Sequence, residues 1–238
     1  MNRPVPAAKL LLFATPEHEC SYLPEHGATT LFVDPDFPKD PEVYTLLSRN
    51  GFRRSGEHVY RPDCRTCKAC VPVRLPVGEF RPRRSQRRTW RANEDLCVTA
   101  TPARFEQEHF ALYRRYLRAR HPGGGMDETS PKQYREFLLS SWADTLLYEL
   151  RLGGTLMAVC VTDRLVDGLS AVYTFFDPDF PWRSLGTYCI LWQVAEAKRL
   201  GLDWLYLGYW IADSDKMTYK VGFRPQERFV DGAWRRWG

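Results

Sequence analysis

Through the first forty residues the apolar positions keep no period, and prolines interrupt them. "YLPEHGATTLFVDPDFP" therefore predicts strand or loop without helix. A helical period first appears in "DPEVYTLLSRNGF": Asp40 caps, Pro41 occupies the first turn, Val43, Leu46 and Leu47 share a face, and Gly51 stops the run. "FRRSGEHVYRP" predicts two short extended runs about Ser55 and Gly56. From Val71 to Arg84 prolines recur too often for a regular helix, leaving an extended basic strand that leads into "RSQRRTWRANEDLCVTA".

A second pattern starts at "TPARFEQEHFALYRRYLRARH". Thr101 as cap, Pro102 at the first helical position, and Phe105, Leu112 and Tyr116 at helical spacing predict a helix that ends at the glycines 123–125. "SPKQYREFLLSSW" repeats the cap-then-proline device for another helix. Then "TLLYELRL", "TLMAVCVTDRLV" and "LSAVYTFFD", separated by Gly153-Gly154 and Asp167-Gly168, predict an antiparallel meander. "GTYCILWQVAEAKRLG" is a helix closing at Gly201, "LDWLYLGYW" a strand and "SDKMTYKVGF" a short helix. The expected class is α+β, with an N-terminal α/β subdomain over 1–98 and a second domain over 99–238. In that second domain the order of two helices, three strands, helix and strand is the order of a GNAT-like acyltransferase domain.

The chain of 238 residues is long enough to bury a sizeable core, for which its eight Trp, twelve Tyr and thirteen Phe supply bulk. No stretch reaches the roughly eighteen apolar residues of a membrane span, and "KLLLFAT" is too short for a secretory signal, so no membrane contact and a cytoplasmic address are expected. Seven cysteines is an odd number and in a reducing compartment suggests thiols, metal ligands or catalytic groups, not a disulfide framework. The net charge of +5 is unevenly spread: from Arg49 to Arg91 thirteen Lys and Arg face three acids, so the remainder is net negative. That segment suits a polyanion such as RNA, or else forms a solvated arginine-rich surface.

Candidate chemistry narrows from there. A coenzyme A loop of pattern Q/R-x-x-G-x-G/A would fall on Arg183 to Tyr188, where Tyr188 stands in place of a small residue, which disfavours that donor. The histidines form no H-x-x-x-H pair, and no G-x-S-x-G elbow exists. In "YRPDCRTCKACVPVR" Cys64, Cys67 and Cys70 have the local spacing for thiolate ligation of zinc or an iron-sulfur cluster, with Cys20 as a fourth ligand. The alternative is an exposed loop whose basic neighbours merely lower thiol pKa values. "YLGYW" and "DSDKMTYKVGFRP" gather Tyr209, Lys216, Tyr219 and Lys220, two lysines four apart around a tyrosine being hard to explain as core.

"CSYLP", "GFRRSGEHVYRPDCRTCKACVPVRLPV", "RSQRR", "LYRRYLRARH", "LWQVAEAKRLGLDWLYLGYWI" and "KMTYKVGFRP" together resemble the bacterial leucyl-tRNA-protein transferases of the arginyltransferase family. The resemblance implies a GNAT-like fold and transfer of leucine from leucyl-tRNA to proteins beginning with Asp or Glu, which marks them for degradation as N-degrons. Arginyl-tRNA as donor is the nearest alternative, and a non-catalytic, metal-stabilised RNA-binding module is the alternative of another class. On this reading Tyr209, Lys216, Tyr219 and Lys220 lie at the transfer site, and no cofactor is required because the ester is already activated. Arg74, Arg84, Arg87 and Arg88 are the candidates to read the acidic N-terminus, Arg74 first, because a guanidinium holds a carboxylate bidentately. Arg53, Arg54, Arg61, Arg65, Lys68 and His121 would hold the tRNA. Eukaryotic members bind a metal centre through two cysteine pairs. Cys20 and Cys70 match the first of each, Leu23 and Val71 fill the second places, and Cys64 and Cys67 are candidates to complete the set.

Overall fold

The computed structural model describes residues 9–120 and 129–237. Its first elements are β1 (Leu12–Ala14), β2 (His18–Glu19), β3 (Gly27–Ala28), β4 (Thr30–Val33), α1 (Pro41–Arg49), β5 (Arg53–Ser55) and β6 (His58–Pro62). β1, β4, β6 and β5 form a small antiparallel sheet in that order, and β2 pairs with β3. The predicted cap of α1 is present, the Val43 N–H donating to Asp40 Oδ1 at 2.7 Å. Its buried face differs from the expected one. Tyr44 and Leu47 are buried while Leu46 is 60% exposed, because the Tyr44 hydroxyl is drawn inward to donate to Asp163 at 2.8 Å.

Next come β7 (Val71–Pro76), α2 (Arg84–Arg91), β8 (Cys97–Pro102), α3 (Gln107–Arg120) and α4 (Pro131–Leu138). They are followed by β9 (Thr145–Leu152), β10 (Thr155–Arg164), β11 (Gly168–Phe176), α5 (Leu185–Arg199), β12 (Trp204–Trp210), a 3-10 segment Asp215–Gly222, β13 (Gln226–Val230) and β14 (Ala233–Trp237). The predicted meander is β9, β10 and β11, and Ser130 caps α4 as expected, accepting from the Gln133 N–H at 3.2 Å. The predicted helix start at Thr101 is corrected. Residues 97–102 pair with β9 as the edge strand β8, the Thr101 hydroxyl donates to Leu147 O at 3.2 Å, and the helix begins only at Gln107. The glycines 123–125 lie outside the described residues. α2 had no apolar stripe to announce it: its fully buried residue is Gln86, whose Oε1 accepts from the Arg83 N–H at 2.9 Å.

The large sheet runs β14-β13-β7-β12-β11-β10-β9-β8, so β7, from the N-terminal third of the chain, lies between two strands from its C-terminal third. Its pairings are antiparallel except β11 with β12. α5 packs on one side, Ile190, Leu191 and Val194 burying against Leu75, Leu169 and Leu205. α3 and α4 bury Tyr113, Leu117, Tyr134 and Leu138 against Leu147, Val161 and Phe175. One buried ion pair joins the small sheet to the large one. Arg54 Nε and Nη2 donate to Asp163 Oδ2 and Oδ1 at 2.7 and 2.8 Å, with both side chains 0% exposed. The Tyr44 and Thr145 hydroxyls also donate to this carboxylate, which repays its desolvation. Arg54 as a tRNA contact is thereby corrected, since its guanidinium reaches no surface. Among the described residues no helix is long and apolar enough to cross a membrane.

Candidate active site

β11 and β12 pair only at their starts, Gly168–Ser170 against Trp204–Tyr206. Beyond that point the two parallel strands part, and backbone groups facing the gap need other partners. Arg53, from β5, supplies them. Its Nη1 donates to Ser170 Oγ and Tyr206 O at 3.3 and 3.4 Å, and its Nη2 to Ala171 O at 2.7 Å. Gly208 makes room for it: a Cβ there would stand 2.9 Å from the Arg53 guanidinium carbon, and the residue has φ +74° at a break in the β12 register.

The 3-10 segment brings Lys220 to the same place. Its Nζ donates to Tyr209 O and contacts Met217 Sδ at 3.5 Å, with no acid beside it. Burial, and secondly Arg53, bring its pKa down to about 7, so a large fraction is neutral amine near neutral pH. Tyr219 is half exposed, but burial of its hydroxyl pushes that group up to about 12 and keeps it a donor, with Tyr116 adding to the rise and Arg53 opposing it. Tyr173 of β11, raised by burial, also feels Tyr116, Tyr113 and Tyr219. The parted strands thus hold a hydrophobic-walled set of hydroxyl donors beside one near-neutral lysine. Such a set suits proton transfer and oxyanion stabilisation during acyl transfer.

The sequence model described as arginine-tRNA-protein transferase, C terminus, matches residues 108–230, and the one described as its N terminus matches 18–88. The chain belongs to this family. Curated relatives named aspartate/glutamate leucyltransferase include one from Nitrosococcus oceani, 53% identical over 93% of this chain and 94% of that protein. Two more, from Pseudomonas fluorescens and Hahella chejuensis, are 52% identical over 95% and 94% of the chain and 97% and 96% of their own lengths. A solved structure of L-PGS from Bacillus licheniformis is 11% identical over 60% of this chain and 46% of its own, with TM-score 0.46, a likeness too loose to inform the chemistry.

In this transferase the other residues singled out from sequence fall in separate places. Lys216 is exposed on the 3-10 segment. Tyr209 is buried, and its hydroxyl is committed, donating to Gly51 O at 2.9 Å and Tyr60 O at 3.3 Å, so only its carbonyl serves the site, through Lys220. Arg74 is already paired, its Nε and Nη2 donating to Glu227 Oε2 at 2.9 and 2.7 Å. Arg84, Arg87 and Arg88 lie exposed on α2, Arg87 bonded to Pro82 O. Arg61 donates to Asn50 O at 3.1 Å, Lys68 stands 3.6 Å from Asp63, and Arg65 is exposed. His121 lies outside the described residues. Sequence reasoning did not single out Tyr173, which reads there as one more aromatic in an apolar strand.

The four cysteines proposed as metal ligands lie together. Burial first, then Cys20, Cys64 and Cys67, push the Cys70 thiol up to about 12, so the four are neighbours. Yet Cys64 Sγ is turned to Thr29 O at 3.8 Å and Cys67 Sγ accepts from the Ala69 N–H at 3.5 Å. Among the described residues no three His, Cys, Asp or Glu are disposed to hold a metal ion. Away from the site, a cavity of about 190 Å³ is lined by Thr101, Glu108, His109, Glu149 and Arg151. Its polar groups are bonded internally, His109 with Glu149 at 2.9 Å and Arg151 with Glu108 at 2.6 Å.

Proposed function

We propose that the chain transfers leucine from leucyl-tRNA to the α-amino group of proteins beginning with Asp or Glu, in the cytoplasm, on a GNAT-like frame, creating an N-degron. The observation that carries this reading is the near end-to-end match to relatives named aspartate/glutamate leucyltransferase. The geometry supports a simple mechanism. The aminoacyl ester is already activated, and an α-amino group of pKa about 7.7 to 8.0 is partly nucleophilic at neutral pH. Holding amine and ester carbon together contributes up to about 7 to 11 kcal/mol of the rate enhancement. The amine attacks the ester carbon, the C–N bond forms, and the Tyr219 hydroxyl donates to the developing oxyanion. Neutral Lys220 takes the proton leaving the nitrogen and returns it to the ribose oxygen as the ester C–O bond breaks. Its N–H groups stay on Tyr209 O and Met217 Sδ while the lone pair receives. No cofactor takes part. Exposed Arg84, Arg87, Arg88 and Arg65 of the basic segment hold tRNA phosphates, so binding weakens steeply with salt.

The test offers labelled leucyl-tRNA and arginyl-tRNA separately to peptides beginning with Asp, Glu or Ala. Leucine joined to the Asp and Glu peptides alone is the expected result. Transfer from arginyl-tRNA only, as the family description would have it, replaces the donor, and no transfer from either overturns the reading.

A further inference from the structure

Arg228 of β13 lies between two indoles, its guanidinium carbon 3.8 Å from the ring centre of Trp210 and 3.5 Å from that of Trp237. A guanidinium with a buried amino group, as Nη2 is here, is ordinarily matched with an acid. Arg228 is not. Its Nε reaches only Gln226 Oε1, at a long 3.4 Å, and its buried Nη2 meets no acceptor. The Trp210 Nε1 beside it is also buried without an acceptor. The charge that bears on it is a second cation, Arg224, which stacks on Trp237 with its guanidinium carbon 4.2 Å from the ring centre. Among the described residues Arg228 is the one guanidinium with a terminal amino group both buried and unpartnered. Arg53, which also lacks an acid, has three acceptors. Two orphan donors and two positive charges around one spot cost free energy unless something negative and hydrogen-bond accepting comes there.

The clamp is connected to Lys220, the proton acceptor, by two short routes. Trp210 follows Tyr209, whose carbonyl takes the Lys220 ammonium or amine. Gln226, which accepts from Arg228, donates through Nε2 to Lys220 O at 3.1 Å and Phe223 O at 3.0 Å. A side-chain carboxylate seated at Arg228 leaves the α-amine of the same residue two or three carbons away, free to turn toward Lys220. The same fork could also hold a tRNA phosphate, and tRNA affinity in the test below separates the two.

We propose that Arg228, held between Trp210 and Trp237 and assisted by Arg224, is the site that receives the side-chain carboxylate of the acceptor's N-terminal Asp or Glu. This rests on the leucyltransferase reading for its substrate and gives that substrate a named receptor, in place of the already paired Arg74.

The test measures, for the full chain, binding of Asp-initiated and Asn-initiated peptides by calorimetry and, separately, leucyl transfer to each. Wild type is expected to prefer Asp in both. Arg228→Gln should lower transfer to the Asp peptide by roughly 100-fold, abolish the Asp over Asn preference, and leave leucyl-tRNA affinity within about twofold. Arg228→Lys, which keeps the charge and the fold, should recover only part of the preference. Arg228→Gln with the wild-type Asp over Asn ratio overturns the proposal, as does a fall in tRNA affinity with that ratio unchanged, which assigns the clamp to phosphate. Wild type that binds Asp preferentially through Arg228 but transfers no leucine leaves the site standing and sinks the leucyltransferase reading. Wild type that transfers leucine with no preference for Asp over Asn does the reverse.

Discussion

Two arginines sit between tryptophan rings on neighbouring positions of the same sheet, and their surroundings differ in one respect. Arg74 stands 3.5 Å from the Trp204 ring centre and 4.3 Å from that of Trp234, and is paired with Glu227. Arg228 stands between Trp210 and Trp237 and is paired with nothing acidic. The β7–β13 register sets Glu227 opposite Arg74 and Arg228 opposite Val73, so the two clamps face opposite sides of the sheet. Even the indoles follow the division: Trp234 Nε1 donates to Arg49 O at 2.8 Å, while Trp210 Nε1 has no acceptor. Arg74 has its acid built in, whereas Arg228 keeps an unpartnered donor for a bound anion, the difference the proposal turns on.

Variants test that division, beginning with the charges that are paired. Arg54→Ala strips the Asp163 carboxylate of its partner in the core and should cost about 3 to 5 kcal/mol in denaturant unfolding. Glu227→Ala leaves Arg74 between its rings with only the Tyr206 hydroxyl, at 3.4 Å, and should cost about 2 to 3 kcal/mol. An unchanged midpoint would show that the aromatic stack alone holds Arg74. Lys220, a buried cation without an acid, gives a pH signature. Its folded pKa of about 7 lies below its unfolded value near 10.5, so between these the unfolded chain binds more protons. Its contribution to stability therefore rises with pH across that window and is lost as pH falls toward 7, with a slope of at most about 1.4 kcal/mol per pH unit. Lys220→Met should flatten that slope, measured by urea unfolding at several pH values, and remove an inflection near 7 from single-turnover transfer. The smallest stability change belongs to the unpaired clamp. Arg228→Gln should move the unfolding free energy by no more than about 0.5 kcal/mol, the size of an ordinary surface change.

Local chemistry made much of the fold readable before any coordinates. Asp40 and Ser130 are caps whose bonds reach three residues along the chain, and the three strands after residue 144 carry their own turn signals. Thr101 and Pro102 misled because a cap-then-proline pair suits a strand end as well as a helix start, and pairing with β9 decided between them. At the site, Tyr219 and Lys220 stood out by motif. Arg53 reads from sequence as a tRNA contact, whereas its guanidinium holds the parted strands, a place no spacing reveals. Arg228 was passed over for a related reason: an arginine is notable there only for the acid it lacks, and that absence appears once every neighbour is known.

The position of β7 bears on how the chain is made. Ribosomes deliver this strand early, yet both of its flanking partners emerge more than a hundred residues later. During that interval two open edges are exposed to intermolecular pairing, and the nascent polypeptide is at its most vulnerable to aggregation.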